Sequence, residues 1–148
     1  MSPLAIVITT LILSGFFSGL EIAFITANKL RVELKSNQGK RWARICSGYL
    51  KNPSKFISTI LVGNNVALVI YGMFMEELLR PTIESYVGPV PALIIATLIS
   101  TLVVVVTAEF LPKALFRLNP SGILSVLIYP FQVFYFVLWP LVQFVIWL

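Results

Sequence analysis

Histidine and aspartate are absent from these 148 residues, and Cys46 is the only cysteine. Without a histidine or a second thiol the chain cannot build the Cys/His cage that suits zinc or copper(I), and a single thiol closes no intrachain disulfide. A hydrolase is also hard to assemble, since neither a serine-base set nor a pair of aspartates can be drawn from this composition, so no enzyme is expected. Charge is scarce as well: 11% of the residues are charged, against roughly 25% in a soluble globular domain. What remains is 58% hydrophobic with a mean hydropathy of +0.94. Lipid is therefore the expected solvent for most of the chain.

The charge that is present is segregated. All six acidic residues are glutamates, and of the 11 basic ones eight (Lys29, Arg31, Lys35, Lys40, Arg41, Arg44, Lys51 and Lys55) lie in one stretch. A local excess of this kind is a topology signal rather than a nucleic-acid surface, and the positive-inside rule places it in the cytoplasm with the N-terminus outside. The first 27 residues hold no Lys or Arg. They lack the basic opening and the small-residue cleavage pattern of a signal peptide, so the first apolar run is expected to be retained as a helix.

The spacing of apolar runs predicts an all-α membrane protein occupying residues 1–148. A first membrane helix over about 4–27 is long enough, at about 1.5 Å per residue, to cross a core of about 30 Å. A polar helical hairpin over 28–54, turning at Ser36 to Gly39 and stopping at Asn52-Pro53, is expected outside the core. A second helix over about 55–79, a short loop from Pro81 to Pro89 and a third helix over about 91–116 follow. The last segment, 123–148, is apolar enough to span but carries Pro130, Pro140 and a set of rings typical of membrane interfaces. Its pattern alone fits both a fourth span and a bent helix along the inner leaflet.

Polar residues inside the spans carry the functional signal. Thr10, Ser14, Ser18 and Glu21 share one face of the first helix, with Gly15 and Gly19 beside it. Small residues at that spacing ordinarily make a helix-packing face, and this is the reading adopted for the two glycines. Glu21 is different, because a carboxylate in the bilayer costs about 2.5 to 3.5 kcal/mol on insertion scales and needs a partner. The second helix has Gly63-Asn64-Asn65, where two adjacent amides either join helices or serve an ion. The third has Glu109 followed by Pro112 and Lys113. The proline removes a backbone donor and disturbs the carbonyl near Ala108, and the plainer alternative is a Glu109–Lys113 pair four residues apart. Glu21 lies eight residues before Lys29, Asn64 nine after Lys55 and Glu109 eight before Arg117. At about 1.5 Å per residue all three are expected about 12 to 14 Å from the basic flank. Carboxylates, hydroxyls, amides and carbonyls meeting there would be an all-oxygen set, suited to Mg²⁺ and also to Na⁺.

Three motifs in order on successive helices, Ser14-Gly-Phe-Phe-Ser-Gly-Leu-Glu21, Leu61-Val-Gly-Asn-Asn65 and Glu109-Phe-Leu-Pro-Lys113, resemble those of the transmembrane domain of the cyclin M (CorC/CNNM) family. The resemblance covers nearly the whole chain. It implies three membrane helices, a cytoplasmic hairpin after the first, a juxtamembrane helix over 123–148 and a homodimer in a bacterial inner membrane. The implied activity is Mg²⁺ export coupled to Na⁺ entry; the alternative is a cation sensor or regulatory anchor that moves no ions. Carried over by position, Ser14, Ser18, Gly63, Asn64 and Glu109 match the cation site. Pro112 matches the break in the third helix, and Glu21, Asn65, Ala108 and Lys113 are expected in supporting or coupling roles beside it. Downstream of residue 148 the family carries a CBS-domain pair, so ATP is expected there and not in this chain. Two positions depart from the pattern: Leu68 stands where many relatives have a second asparagine, and Ala108 where many have glycine.

Overall fold

The computed structural model describes residues 2–148, and nearly all of them are helical. The joints are set by a few capping residues. Helix α1 (Pro3–Thr26) starts with proline at its first position and with the Ser2 hydroxyl accepting the Ala5 N–H at 3.3 Å. Ala27 leaves the helical region, and the Asn28 side chain accepts the Arg31 N–H at 3.2 Å to open α2 (Lys29–Asn37). Gly39, at φ +87°, turns the chain into α3 (Arg41–Lys51), a conformation that costs glycine nothing. Asn52 is non-helical ahead of Pro53 and separates α3 from α4 (Pro53–Val87). Helices α2 and α3 are thus bounded by Asn28 and Asn52.

The second membrane helix does not end where expected. Instead of stopping at Leu79 before a loop from Pro81 to Pro89, α4 continues through Pro81 for 35 residues, about 52 Å at 1.5 Å per residue and well beyond a hydrocarbon core. Pro81 is exposed, so the carbonyl it leaves without a donor can be solvated. Arg80 spans the site by pairing with Glu76 at 3.3 Å and Glu84 at 3.4 Å. The reversal needs only Gly88, at φ +89°. The third helix accordingly begins at Pro89 rather than near 91, as α5 (Pro89–Val104), and runs without a break through a π-helical segment (Val105–Phe110) into α6 (Leu111–Phe116).

Helix α7 (Pro120–Trp147) is capped by the Asn119 side chain, which accepts the Gly122 N–H at 3.2 Å. It passes unbroken through Pro130 and Pro140, both on its exposed side. Four helices, α1, α4, α5–α6 and α7, are therefore long and apolar enough to cross a membrane by length and composition, where the sequence reading had settled on three.

Helix α1 is the centre of the bundle and packs along α4, α5–α6 and α7. At its C-terminal end a chain of rings binds four elements: Phe24 stacks on Phe56 at 4.0 Å, Phe56 lies 4.4 Å from Phe131, and Tyr49 meets Phe131 at 5.3 Å. Farther along α1, Phe17 meets Phe134 at 5.2 Å. Each such pair adds about 0.5 to 1.5 kcal/mol beyond its burial. Leu124, Ile128, Phe131, Tyr135 and Val142 form the buried stripe of α7, at the three-and-four spacing of one helix face. The hairpin closes internally through Val32 and Ala43 and through the Ser47 hydroxyl, which donates to Glu33 at 2.5 Å.

Cys46 lies within this closure at 1% exposure, and burial pushes its thiol up to about 12. A thiol is reactive as the thiolate. In the folded protein Cys46 is therefore expected to resist maleimide at pH 8 and to label fully once denatured in SDS. Rapid labelling of the native protein would show that the hairpin does not pack as described.

Candidate functional site

Several threonines in the spans are satisfied within their own helix. The hydroxyls of Thr9, Thr10, Thr59, Thr97 and Thr107 donate to carbonyls four residues back at 2.6 to 2.8 Å, as expected where no water is available. Thr10, on the polar face of α1, is thus accounted for locally. Ser14 is not. Fully buried, it donates across the bundle to the Asn64 Oδ1 at 2.6 Å, so two of the residues singled out in the sequence are in direct contact.

One glycine permits this approach to α4, and two others bring α1 against the third helix. A Cβ on Gly63 would fall 2.5 Å from Cζ of Phe17, so the missing side chain is the slot for that ring. Gly15 faces the third helix: a Cβ there would lie 3.2 Å from Pro112 and 4.0 Å from the carbonyl oxygen of Ala108. Gly19 lies under Phe116, whose ring atoms would be 2.2 to 2.8 Å from an added Cβ. The small-residue face of α1 is therefore packed against the π segment and its proline. Ala108 is itself fully buried and shares a cluster with Val7, Tyr71 and Val104, against which Leu68 packs.

The π segment carries Glu109. The N–H of Leu111 bonds the carbonyl of Val106, five residues back, and Pro112 has no N–H to offer one residue later. The turn is wider than an α-helical one and short of a donor, and π turns inside α-helices are found mostly at functional sites. Glu109 and Lys113 do not pair: the ion pairs among the described residues are those of Arg80. Glu109, Pro112 and Lys113 are half-buried.

Not every predicted residue reaches this level. Ser14 stands opposite Asn64, and Gly15 opposite Ala108 and Pro112. Glu21 lies seven residues farther along α1, about 10 Å of helix rise away. The expectation that Glu21, Asn64 and Glu109 share one depth is corrected for Glu21. Its count from Lys29 crosses the non-helical joint at Ala27-Asn28, where residues no longer measure depth. Ser18 is buried one turn from Ser14, on the side toward Glu21, and Asn65 points away from the bundle, exposed. No group of three or more His, Cys, Asp or Glu occurs among the described residues, so any cation here would rely on neutral oxygens beside few carboxylates.

One polar contact was missed by the sequence reading. The Tyr71 hydroxyl donates to the Ser100 carbonyl at 2.8 Å, tying α4 to α5 above small Ala92 and Ala96. The available signal was a lone tyrosine in the middle of an apolar span, which needs a partner for its hydroxyl.

Comparison with known proteins bears on the whole chain. Residues 4–148 match the family model described as the cyclin M transmembrane N-terminal domain. The UPF0053 inner membrane protein YfjD of Escherichia coli K12 is 32% identical over 124 residues, covering 82% of this chain and 28% of its own length. A UPF0053 protein of Synechocystis is 27% identical over 76% of this chain and 27% of its own length, and one of Mycoplasma genitalium 25% identical over 95% of this chain and 34% of its own. The chain thus spans about a third or less of the length of these relatives.

The glycine contacts separate by cost. Gly63→Ala drives a methyl into the buried Phe17 ring and is expected to destabilise by about 1 to 3 kcal/mol, with Phe17→Leu recovering part of the loss. Gly19→Ala meets the half-exposed ring of Phe116, which can swing aside, and is expected to cost less. Thermal unfolding in detergent reads the difference, and equal losses at both positions would contradict the packing described.

Proposed function

Because the chain belongs to the cyclin M transmembrane family, we propose that it is the membrane part of a divalent-cation transporter that exports Mg²⁺ in exchange for Na⁺. The observation that carries this reading is the Ser14–Asn64 contact at 2.6 Å beside the π segment bearing Glu109. A serine hydroxyl that donates one hydrogen keeps its lone pairs, and an amide oxygen that accepts one bond keeps a second site. Neighbouring ligand oxygens of an octahedral Mg²⁺, each 2.0 to 2.1 Å from the metal, are about 2.9 Å apart. The two oxygens therefore already stand near the separation of one coordination edge. Ser18, the backbone at Gly63 and the Glu109 carboxylate complete a hard-oxygen set. Glu109 supplies the negative charge that Ser14 and Asn64 lack.

In this reading the π segment and Pro112 form the compliant part of α5–α6, where a small change of bend alternates access between the two sides. Glu21, one turn beyond Ser18, lies on the route between the site and the basic end, where it serves coupling. The basic hairpin α2–α3 is cytoplasmic by charge, and the membrane is a bacterial inner membrane, as the name of the Escherichia coli relative states for that protein. Helix α7 lies along the inner leaflet: Gln132, near its midpoint, accepts a hydrogen bond from Tyr49 of α3 at 2.7 Å, and α3 is too short and too charged to be embedded. A homodimer suits Asn65, whose exposed amide needs a partner that lipid cannot offer. ATP-binding CBS domains would follow residue 148.

The test uses the complete protein in proteoliposomes. Mg²⁺ flux driven by a Na⁺ gradient is expected to fall at least about tenfold in Glu109→Gln, Asn64→Ala and Ser14→Ala, which corresponds to losing about 1.4 kcal/mol of cation stabilisation. Lys113→Gln is expected to keep most of it. Saturable Mg²⁺ binding without flux under any gradient would replace transport with a sensor or anchor role.

A further inference from the structure

A second polar site lies away from Ser14, Asn64 and Glu109, where α3, the start of α4 and the middle of α7 meet. An open cavity of about 360 Å³ is lined there by Arg44, Asn52, Lys55 and Gln132, together with Tyr49 and the exposed Gly48. Its volume would hold a phosphate-sized group together with several waters, at about 30 Å³ each. No carboxylate lines it, and neither Arg44 nor Lys55 forms an ion pair among the described residues. Two cations and two amides around one opening favour an anion with several acceptor oxygens. The Tyr49 hydroxyl is already committed to Gln132 at 2.7 Å, which turns the Gln132 amide N–H₂ free to donate elsewhere.

The surroundings identify the source of that anion. Beyond Gln132, α7 presents Val133, Phe136 and Val137 outward at 63%, 71% and 70% exposure. An apolar flank of this kind next to a basic opening suits a molecule with a phosphate at one end and acyl chains at the other. We propose that this cavity is a binding site for the phosphate of an anionic phospholipid, seated between the hairpin and α7. The occupant joins α3 to α7 at the point where only the Tyr49–Gln132 hydrogen bond and the neighbouring rings connect them. The site is separate from Ser14, Asn64 and Glu109 and does not depend on their function.

Three variants of the complete protein isolate it. Arg44→Gln with Lys55→Gln removes both cations. Gly48→Leu adds bulk to the lining without changing charge or disturbing the packing, since a Cβ at Gly48 meets nothing within 4 Å. Lys29→Gln with Lys35→Gln removes two equal charges from α2, outside the cavity. Each protein is equilibrated in mixed phosphatidylglycerol and phosphatidylcholine nanodiscs, and retained lipid is counted by native mass spectrometry, with Cys46 protection confirming the fold. The wild type and the α2 variant are expected to retain phosphatidylglycerol preferentially, the variant lacking both cavity cations to lose that preference by about thirtyfold, at about 1 kcal/mol for each of the two, and Gly48→Leu to lose it as well. Equal retention by all four proteins, or equal loss in the α2 variant, would overturn the site. Displacement of nothing by lipid, with binding of inorganic phosphate alone, would overturn the phospholipid assignment.

Discussion

In hydrocarbon a polar side chain has no water to fall back on, and each one in this bundle must be answered by the protein itself. Threonines meet that demand within their own helix. Ser14 and Asn64 meet it only across two helices, and they can do so because α4 has no side chain at Gly63, where the Phe17 ring of α1 fits. The close approach of α1 to its neighbours and the pairing of its polar residues are one constraint. Any side chain that forced the helices apart would leave the amide and hydroxyl unpaired in lipid, at a cost larger than the packing loss itself.

The third helix shows the same economy in a different form. Pro112 takes a donor from the backbone, and the chain responds by widening to a π turn over Val105–Phe110 rather than by breaking. That widening brings Glu109 to a place where the backbone is short of hydrogen-bond donors. Pro112 also supplies the surface that Gly15 packs on, so the residue that loosens α5–α6 is held by the small-residue face of α1. A pliant segment gripped at one point is a physical basis for a hinge.

Around this core the aromatic chain Phe24, Phe56, Phe131 and Tyr49 joins the basic hairpin to α7. It places a charged, water-compatible element and an apolar helix side by side.

The linear pattern was enough for the all-helical class, because charge, proline and capping asparagines act over a few residues. It was also enough to single out Ser14, Asn64 and Glu109 and to match their motifs to a family. It failed at Pro81, where a helix end was expected and α4 continues to Val87, because whether a freed carbonyl is tolerated depends on its exposure and on Arg80 reaching two glutamates. It misplaced Glu21, because residues counted across a joint are not a distance along an axis. The depth at which side chains meet, the ring that fills the slot at Gly63 and the partner of Tyr71 belong to the packing of helices far apart in sequence. Local propensity determines which segments are helices, whereas only the three-dimensional fit of their surfaces decides which polar groups face one another.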